Sequence, residues 1–329
     1  MQQDPHFQGF AFGFKIDAQG EAEPLPQGMS DGAGKHWVWI ALDPAGAGAH
    51  HWLQHRAGLD PQVVESLLAV DTRPRCLVSS EGALLILRGI NADPSSHPTD
   101  LVSVRVWIED NRVITVQHRR LATIDALRAA YEKGEGPKSS AELIVALADG
   151  LIARMRDVVN TFEQEIDKLE DESLVARLPE LRRRLNRVRH GIVPLRRYLA
   201  PQRDAFSRLM SAGLPWVDGW WTGHLREIAD EVSRHIDALD AIRESANIVQ
   251  DTLSDRISEQ TNRIIVLLSL GAAAFLPLNL FVGLLGANVA GIPGASSPFA
   301  FWGVIAILAL IILAEWAIFV RLRLDRFLR

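Results

Sequence analysis

Apolar and polar positions along this chain fall into three regimes, the last of them the most sharply marked. Residues 264–285 and 299–320 form two apolar runs of 22 residues each, and their ionisable side chains reduce to Glu315 in the second. At the helical rise each run covers about 33 Å, enough for the hydrocarbon core of a bilayer. Both are predicted to be membrane spans, with a short loop at 286–298 between them and a basic tail at 321–329.

In front of the first span the pattern is that of one very long helix. From Thr222 no proline occurs until Pro277, and no glycine lies between Gly223 and Gly271. An unbroken helix over 222–285 has 64 residues, or about 96 Å, which makes it a stalk entering the membrane. Leu225, Ile228, Val232, Ile236, Leu239, Ile242, Ala246, Val249 and Leu253 keep three-to-four spacing and predict a seam for helix packing. A second stripe runs Asp230, Arg234, Asp237, Ala241, Glu244, Ile248, Asp251, Asp255, Ser258, Asn262, with acids every seven residues from Asp230 to Asp251. Extended into the span, it passes Ile265, Ser269, Ala272, Leu276, Asn279, Gly283 and Gly286.

Two readings compete for that line. One is a solvated coiled-coil face that continues into small membrane residues. The other is a permeation path, in which copies around an axis stack acid rings, then Asn262, apolar constrictions at Ile265 and Leu276, and amides at Asn279 and Asn288. An amide inside a membrane helix is costly unless it faces a bundle interior or water, which favours the path.

The first regime alternates on a shorter period. Residues 1–135 predict a mixed α/β subdomain with strands at 9–17, 36–43, 84–90, 102–109 and 112–117, the last two flanking an Asp110-Asn111 turn. Helices are expected at 49–56, 61–68 and 122–131, and turn-rich 134–140 closes the segment. Helices at 140–172 and 178–199 build a helical subdomain, 136–216, ahead of the stalk at 217–263. The RRRLNRVR run looks like a nucleic-acid patch. Glu163, Glu165, Asp167, Glu170, Asp171 and Glu172 on the preceding helix point instead to a charge-matched antiparallel pair.

Charge changes the picture more than composition does. The net charge is −5, but 263–329 hold five arginines against Glu315 and Asp325, which is +3 and leaves −8 for 1–262. An acidic body suits cationic ligands and argues against nucleic acid. Arg263, Arg321, Arg323, Arg326 and Arg329 flank the spans while the loop carries no charge. That bias predicts a multi-pass protein of the inner (plasma) membrane with both termini cytoplasmic. Cys76 is the single cysteine, which excludes an internal disulfide and a multi-cysteine metal cage. MQQDPHFQGF has neither the basic nor the apolar region of a signal peptide.

No nucleophile motif, phosphate loop or dinucleotide-binding glycine pattern appears, so the chain is not expected to be an enzyme. His51 and His55 stand at i,i+4 beside His50, either as peripheral zinc ligands or as an ordinary surface helix. His235 either faces a neighbour or lumen or is structural. Glu315 either exchanges protons or pairs with Arg263 or Arg321.

Taken together, the cytoplasmic α/β domain, the long helix into the membrane, the loop opened by Gly-x-Asn and the basic tail resemble the CorA superfamily of divalent-cation transporters. Leu59-Asp60-Pro61 through Glu65 and then Arg73-Pro74-Arg75 look like that family's cytoplasmic helix and Arg-Pro-Lys element. Asn262 and Pro277 match pore-helix positions, and Gly286-Ala287-Asn288 stands where the family has Gly-Met-Asn. Ala287 and the uncharged VAGIPG at 289–294 depart from the magnesium type and are similar to the ZntB branch. The resemblance implies a homopentamer in the lipid bilayer, with the first span lining the pore and Asn288 as the outermost ring. It also implies Zn²⁺ as the transported ion, with proton coupling, and no cofactor. Mg²⁺, Co²⁺ or Ni²⁺ is the alternative cargo, and a membrane-anchored signalling or scaffold protein the competing class.

Overall fold

The computed structural model describes residues 9–26, 36–46, 48–93, 95–97, 99–174, 177–214, 216, 218–286 and 297–321, with side chains to 317. The chain divides into two compact units, Met1–Val249 and Gln250–Arg329. The first is built on a seven-stranded sheet in the order β2-β1-β3-β7-β6-β5-β4. Its strands are β1 (Phe10–Ile16), β2 (Ala22–Pro24), β3 (Trp37–Leu42), β4 (Arg75–Val78), β5 (Ala83–Ile90), β6 (Leu101–Ile108) and β7 (Arg112–Gln117). The β3–β7 pair is parallel and the others are antiparallel.

The expected β6–β7 hairpin forms, and Glu109 clamps it. Its carboxylate accepts from Arg112 Nη2 at 2.7 Å and Trp107 Nε1 at 2.6 Å. Strands β2 and β4 were not expected. β2 has three residues and ends in Pro24, while β4 is a four-residue edge with three exposed positions, so neither carries the alternation that marks a half-buried strand.

Helices cover both faces of the sheet. On one side lie α1 (Ala49–His51), a π-turn at Trp52–Arg56, and α2 (Pro61–Leu68). Asp60 caps α2, its Oδ1 accepting from the Gln62 amide at 2.7 Å with a proline in the first turn. Trp52, Leu53, Val64 and Leu67 pack there on Val38, Ile40, Leu84, Ile86, Trp107 and Ile114. Burying each such side chain contributes about 1.5–3 kcal/mol.

The other side holds α3 (Ala122–Glu132), α4 (Ser140–Glu172) and α5 (Leu178–Met210). α4 begins in a reciprocal cap: Ser139 Oγ accepts from the Glu142 amide at 3.1 Å, and Glu142 Oε2 from the Lys138 amide at 2.8 Å. α5 runs eleven residues beyond the expected end at 199, through Pro201, because Gln202, Ala205, Phe206 and Leu209 continue its buried face. A side chain at Gly191 of α5 would meet the Phe162 ring of α4 at 2.3 Å, so the glycine permits the close approach of the two helices. Their predicted charge match is carried by Arg184, which reaches Glu165 at 2.8 Å and Glu172 at 2.5 Å.

The remaining elements are α6 (Gly219–Gly286), 68 residues long, and α7 (Ala300–Arg321). Both are long and apolar enough to cross a membrane.

Candidate ion path

In the first unit the two stripes of α6 separate cleanly. Leu225, Val232, Leu239 and Ala246 are all 0% exposed, so the seam is fully used inside one chain. It is fastened at both sides. Arg156 of α4 donates to Glu231 through Nε at 2.9 Å, and Arg196 of α5 to Asp240 through Nε at 2.5 Å. Near the helix start, Trp221 Nε1 donates to the Ala141 carbonyl at 3.0 Å. Asp230, Arg234, Asp237, Ala241 and Glu244 are exposed on the opposite face. Ile248 continues that row at 56% exposure.

His235 lies on the packed side, at 7% exposure, not on the row. Its Nε2 stands 3.4 Å from Glu231 Oε1, too long and too poorly aimed for a strong hydrogen bond. The cluster facing it comprises Glu231, Arg156 of α4 and Arg234. Burial holds the imidazole below its ordinary value of 6.5, with the Arg156 and Arg234 charges acting the same way and Glu231 against. A base whose folded pKa is depressed contributes stability above its unfolded pKa and loses it as pH falls. The thermal midpoint of the protein is therefore expected to drop as pH is taken below 6.5, and less steeply in His235→Gln. Equal slopes for the two proteins would remove His235 as a source of acid sensitivity.

In the second unit α6 carries Asp251, Asp255, Asn262, Ile265, Ser269, Leu276, Asn279 and Gly286 in the continuing register, all exposed. Its neighbours in the span are largely exposed too, so exposure there does not single out the row as it does in the first unit. Pro277 stays inside the helix and offers no N–H to the carbonyl of Ala273, leaving that acceptor available within the span. Ala287, Asn288 and the uncharged loop at 289–294 lie outside the described residues.

On α7, Phe301 and Trp302 near one end and Trp316 near the other are 66–68% exposed, the placement of interfacial aromatic anchors. Glu315 Oε1 is shielded from solvent and has no hydrogen-bond partner among the described residues. The anticipated partner Arg321 has no described side chain.

His51 and His55 come together as stacked rings with centroids 4.3 Å apart. His55 Nδ1 lies 3.2 Å from the His51 carbonyl, which occupies that nitrogen within the helix. No group of three or more metal-ligating side chains occurs among the described residues.

Comparison with known proteins adds the rest. The family model described as CorA-like Mg²⁺ transporter protein matches residues 34–321. The divalent cation transporter CmaX of Pseudomonas aeruginosa is 33% identical over 321 residues, 96% of each chain. The zinc transport protein ZntB of Pectobacterium atrosepticum is 32% identical over 294 residues, 89% of each. The solved structure of full-length CmaX superposes with a TM-score of 0.78 at 31% identity, over 98% of this chain and 100% of that one. The CorA magnesium transporter of Methanocaldococcus jannaschii shares the fold, with a TM-score of 0.80 at 18% identity over 94% and 98% of the two chains.

Proposed function

The chain belongs to the CorA family of divalent-cation transporters, and from that premise we propose that it moves Zn²⁺ across the inner membrane through a path lined by α6 in a homopentamer. One observation carries this reading: α6 buries its seam within its own chain and leaves a heptad-spaced acidic row unpacked on the opposite face. An exposed row of coiled-coil spacing is suited to surround an axis shared with other copies. Asp230, Asp237, Glu244, Asp251 and Asp255 then form rings that raise the local cation concentration.

Ile265 and Leu276 narrow the path inside the span, and Ser269, Asn262 and Asn279 offer the ion polar contacts between apolar constrictions. Zinc is favoured over Mg²⁺ because no carboxylate stands in the 286–298 loop to hold a hard, strongly hydrated ion at the mouth. The zinc-transport relatives support the same choice. The arginine bias orients both termini to the cytoplasm. Glu315, shielded within α7, is the proton-exchanging group.

The test is flux into vesicles holding the purified protein. Zn²⁺ uptake is expected to exceed Mg²⁺ uptake and to grow with a pH gradient; no flux of either ion would leave a membrane-anchored scaffold as the reading. Replacing Asp230 and Asp237 by Asn together with Glu244 by Gln is expected to lower uptake roughly three- to tenfold at low salt, and less at high salt where the rings are screened. Wild-type uptake at low salt in that triple variant would take the acid row out of the path. Glu315→Gln is expected to flatten the response to the pH gradient, and an unchanged response would remove Glu315 from any coupling.

A further inference from the structure

The ion path makes no use of a polar patch on the sheet face that α2 covers. In the register of β5, β6 and β7, Arg105 stands opposite Ile86 and Val116, and Arg88 stands opposite Ser103. Directly opposite residues share a face, as do residues two apart along a strand. Arg88, Ser103 and Arg105 therefore project together, the arginines as diagonal neighbours about 7–8 Å apart at the backbone. Leu84, Ile86, Trp107 and Ile114 of the core lie on the same face. The segment between α2 and β4 closes the polar end: Arg88 and Arg105 donate to its carbonyls at Thr72, Ala69 and Val70.

The hydrogen bonds of this patch are incomplete on the donor side. Arg88 gives Nη1 to the Leu101 carbonyl at 2.8 Å and Nη2 to the Thr72 carbonyl at 2.7 Å, with its guanidinium 4.2 Å from the Tyr198 ring. Arg88 Nε, Arg105 Nε, Arg105 Nη1 and the Thr72 hydroxyl are buried without a hydrogen-bond partner among the described residues. Arg105 is 0% exposed and Thr72 6%. Charge is unbalanced as well. Asp71 stands 3.4 Å from Arg88, but its side chain is 95% exposed and water screens it. Burial and the Arg105 charge hold His118 below its ordinary value, against Asp43 and the carbonyls of Leu68 and Ala69, so its imidazole is neutral at pH 7.5. Water satisfies orphaned donors, but it does not offset two like charges in a buried patch. An anion does both.

We infer that this patch binds a small inorganic anion, of the size and charge of chloride, between Arg88 and Arg105. Every unmet group there is a donor or can act as one, so the ligand is an acceptor. Two of the side chains are cationic, so the acceptor is charged. Burial of Arg105, Ser103 and Thr72 excludes an organic ester. The ion takes Arg88 Nε and one free edge of the Arg105 guanidinium, with the Thr72 hydroxyl as a further donor, in charge-assisted hydrogen bonds. Bound there, it fastens the segment between α2 and β4 to the sheet and offsets the repulsion between the two arginines.

The experiment is a thermal-unfolding titration of the full-length protein in a neutral detergent at pH 7.5, with EDTA present. Sodium gluconate is replaced stepwise by sodium chloride or sodium bromide, so that ionic strength stays constant. The expected result is a rise in the unfolding midpoint that saturates with either halide, as binding to the folded state requires. General salt effects do not saturate in this way. Arg105→Met is expected to lose the saturable rise. Thr72→Val keeps both charges and its shape, and is expected to half-saturate at a threefold or higher concentration. Circular dichroism and the midpoint in gluconate check that each variant folds.

Crystals of the wild-type protein grown in bromide supply a second measurement that depends on no variant. An anomalous-scattering peak between Arg88 and Arg105 is expected. No saturable rise in the wild type, equal responses in the wild type and both variants, or water in place of bromide at that position overturns the inference. The readout is anion binding in the absence of divalent cations, so this result and the flux result stand or fall separately.

Discussion

Asn288→Ala is expected to cut Zn²⁺ uptake into vesicles by tenfold or more, while Asn279→Ala costs less. In a ring of identical subunits one substitution removes every amide of the ring together, so a loss of only about 1.4 kcal/mol over the whole ring is already a tenfold effect. Asn288 stands at the start of a stretch with no charge from 286 to 298. No carboxylate there can substitute for it, and on the proposed path its amide oxygen is the ligand offered to an arriving hydrated ion. Asn279 is flanked by Leu276 and Leu280 on the span, and on the proposed path Ser269 and Asn262 share its task. The measurement is the initial rate of Zn²⁺ uptake at saturating and subsaturating concentration, normalised to protein. A wild-type rate in Asn288→Ala would place the selective step elsewhere and remove the Gly-Ala-Asn turn from the mouth.

What could be read in advance follows from the range of the interactions involved. The seam on α6 repeats nine times at helical spacing, and all nine side chains are buried in the fold, because a long periodic pattern outweighs any local exception. The helices expected at 61–68 and 140–172 form where they were placed, capped by Asp60 and Ser139 through contacts only two and three residues apart. Strand β4 was hidden because its register is set by β5 across Cys76–Leu85, a relation its own four residues do not encode. The expected end of α5 at 199 fell two residues before Pro201, and the buried face of its last turns carries the helix on through that proline.

The candidate path shows the same division. Its acid row was visible as a heptad, but the fastening of its reverse face was not. Arg196 and Asp240 are 44 residues apart, and Arg156 and Glu231 are 75 apart. Nothing in the local pattern pairs them. His235 was ambiguous for a related reason. Its neighbour Arg234 lies on the exposed row, and a step of about 100° carries His235 into the seam.

Arg105→Ala is expected to destabilise the protein by about 2–4 kcal/mol, a large change for a residue remote from the ion path. Arg105 rises from the middle of β6 into the layer occupied by α2 and is 0% exposed. Burial is the first cause that lowers its pKa to about 10, and the Arg88 charge is the second. It is therefore still charged at neutral pH, with no carboxylate among its partners in the described residues. Such an arrangement persists only if other groups offset the desolvation.

Two of those groups are at the C-terminal end of α2. Arg105 Nη2 donates to the carbonyls of Ala69 at 2.5 Å and Val70 at 3.1 Å. Both carbonyls lie just past Leu68, the last residue of α2, with Ala69 as its C-cap, so the guanidinium serves the chain leaving the helix and sits near the negative end of its dipole. Truncation to alanine removes both bonds, leaving Ala69 with the His118 imidazole and the 81% exposed Val70 to water, and opens a void under α2. Relief of the buried charge and of its repulsion with Arg88 returns part of that loss, which is why the net figure stays below the sum. Arg105→Met separates the contributions, since it fills the space and removes the charge but cannot cap the helix. A midpoint for the methionine variant between wild type and alanine is the expected result. A methionine variant more stable than wild type would mean that burying the charge outweighs the cap, and an unchanged alanine variant would mean that water replaces the guanidinium at the end of α2.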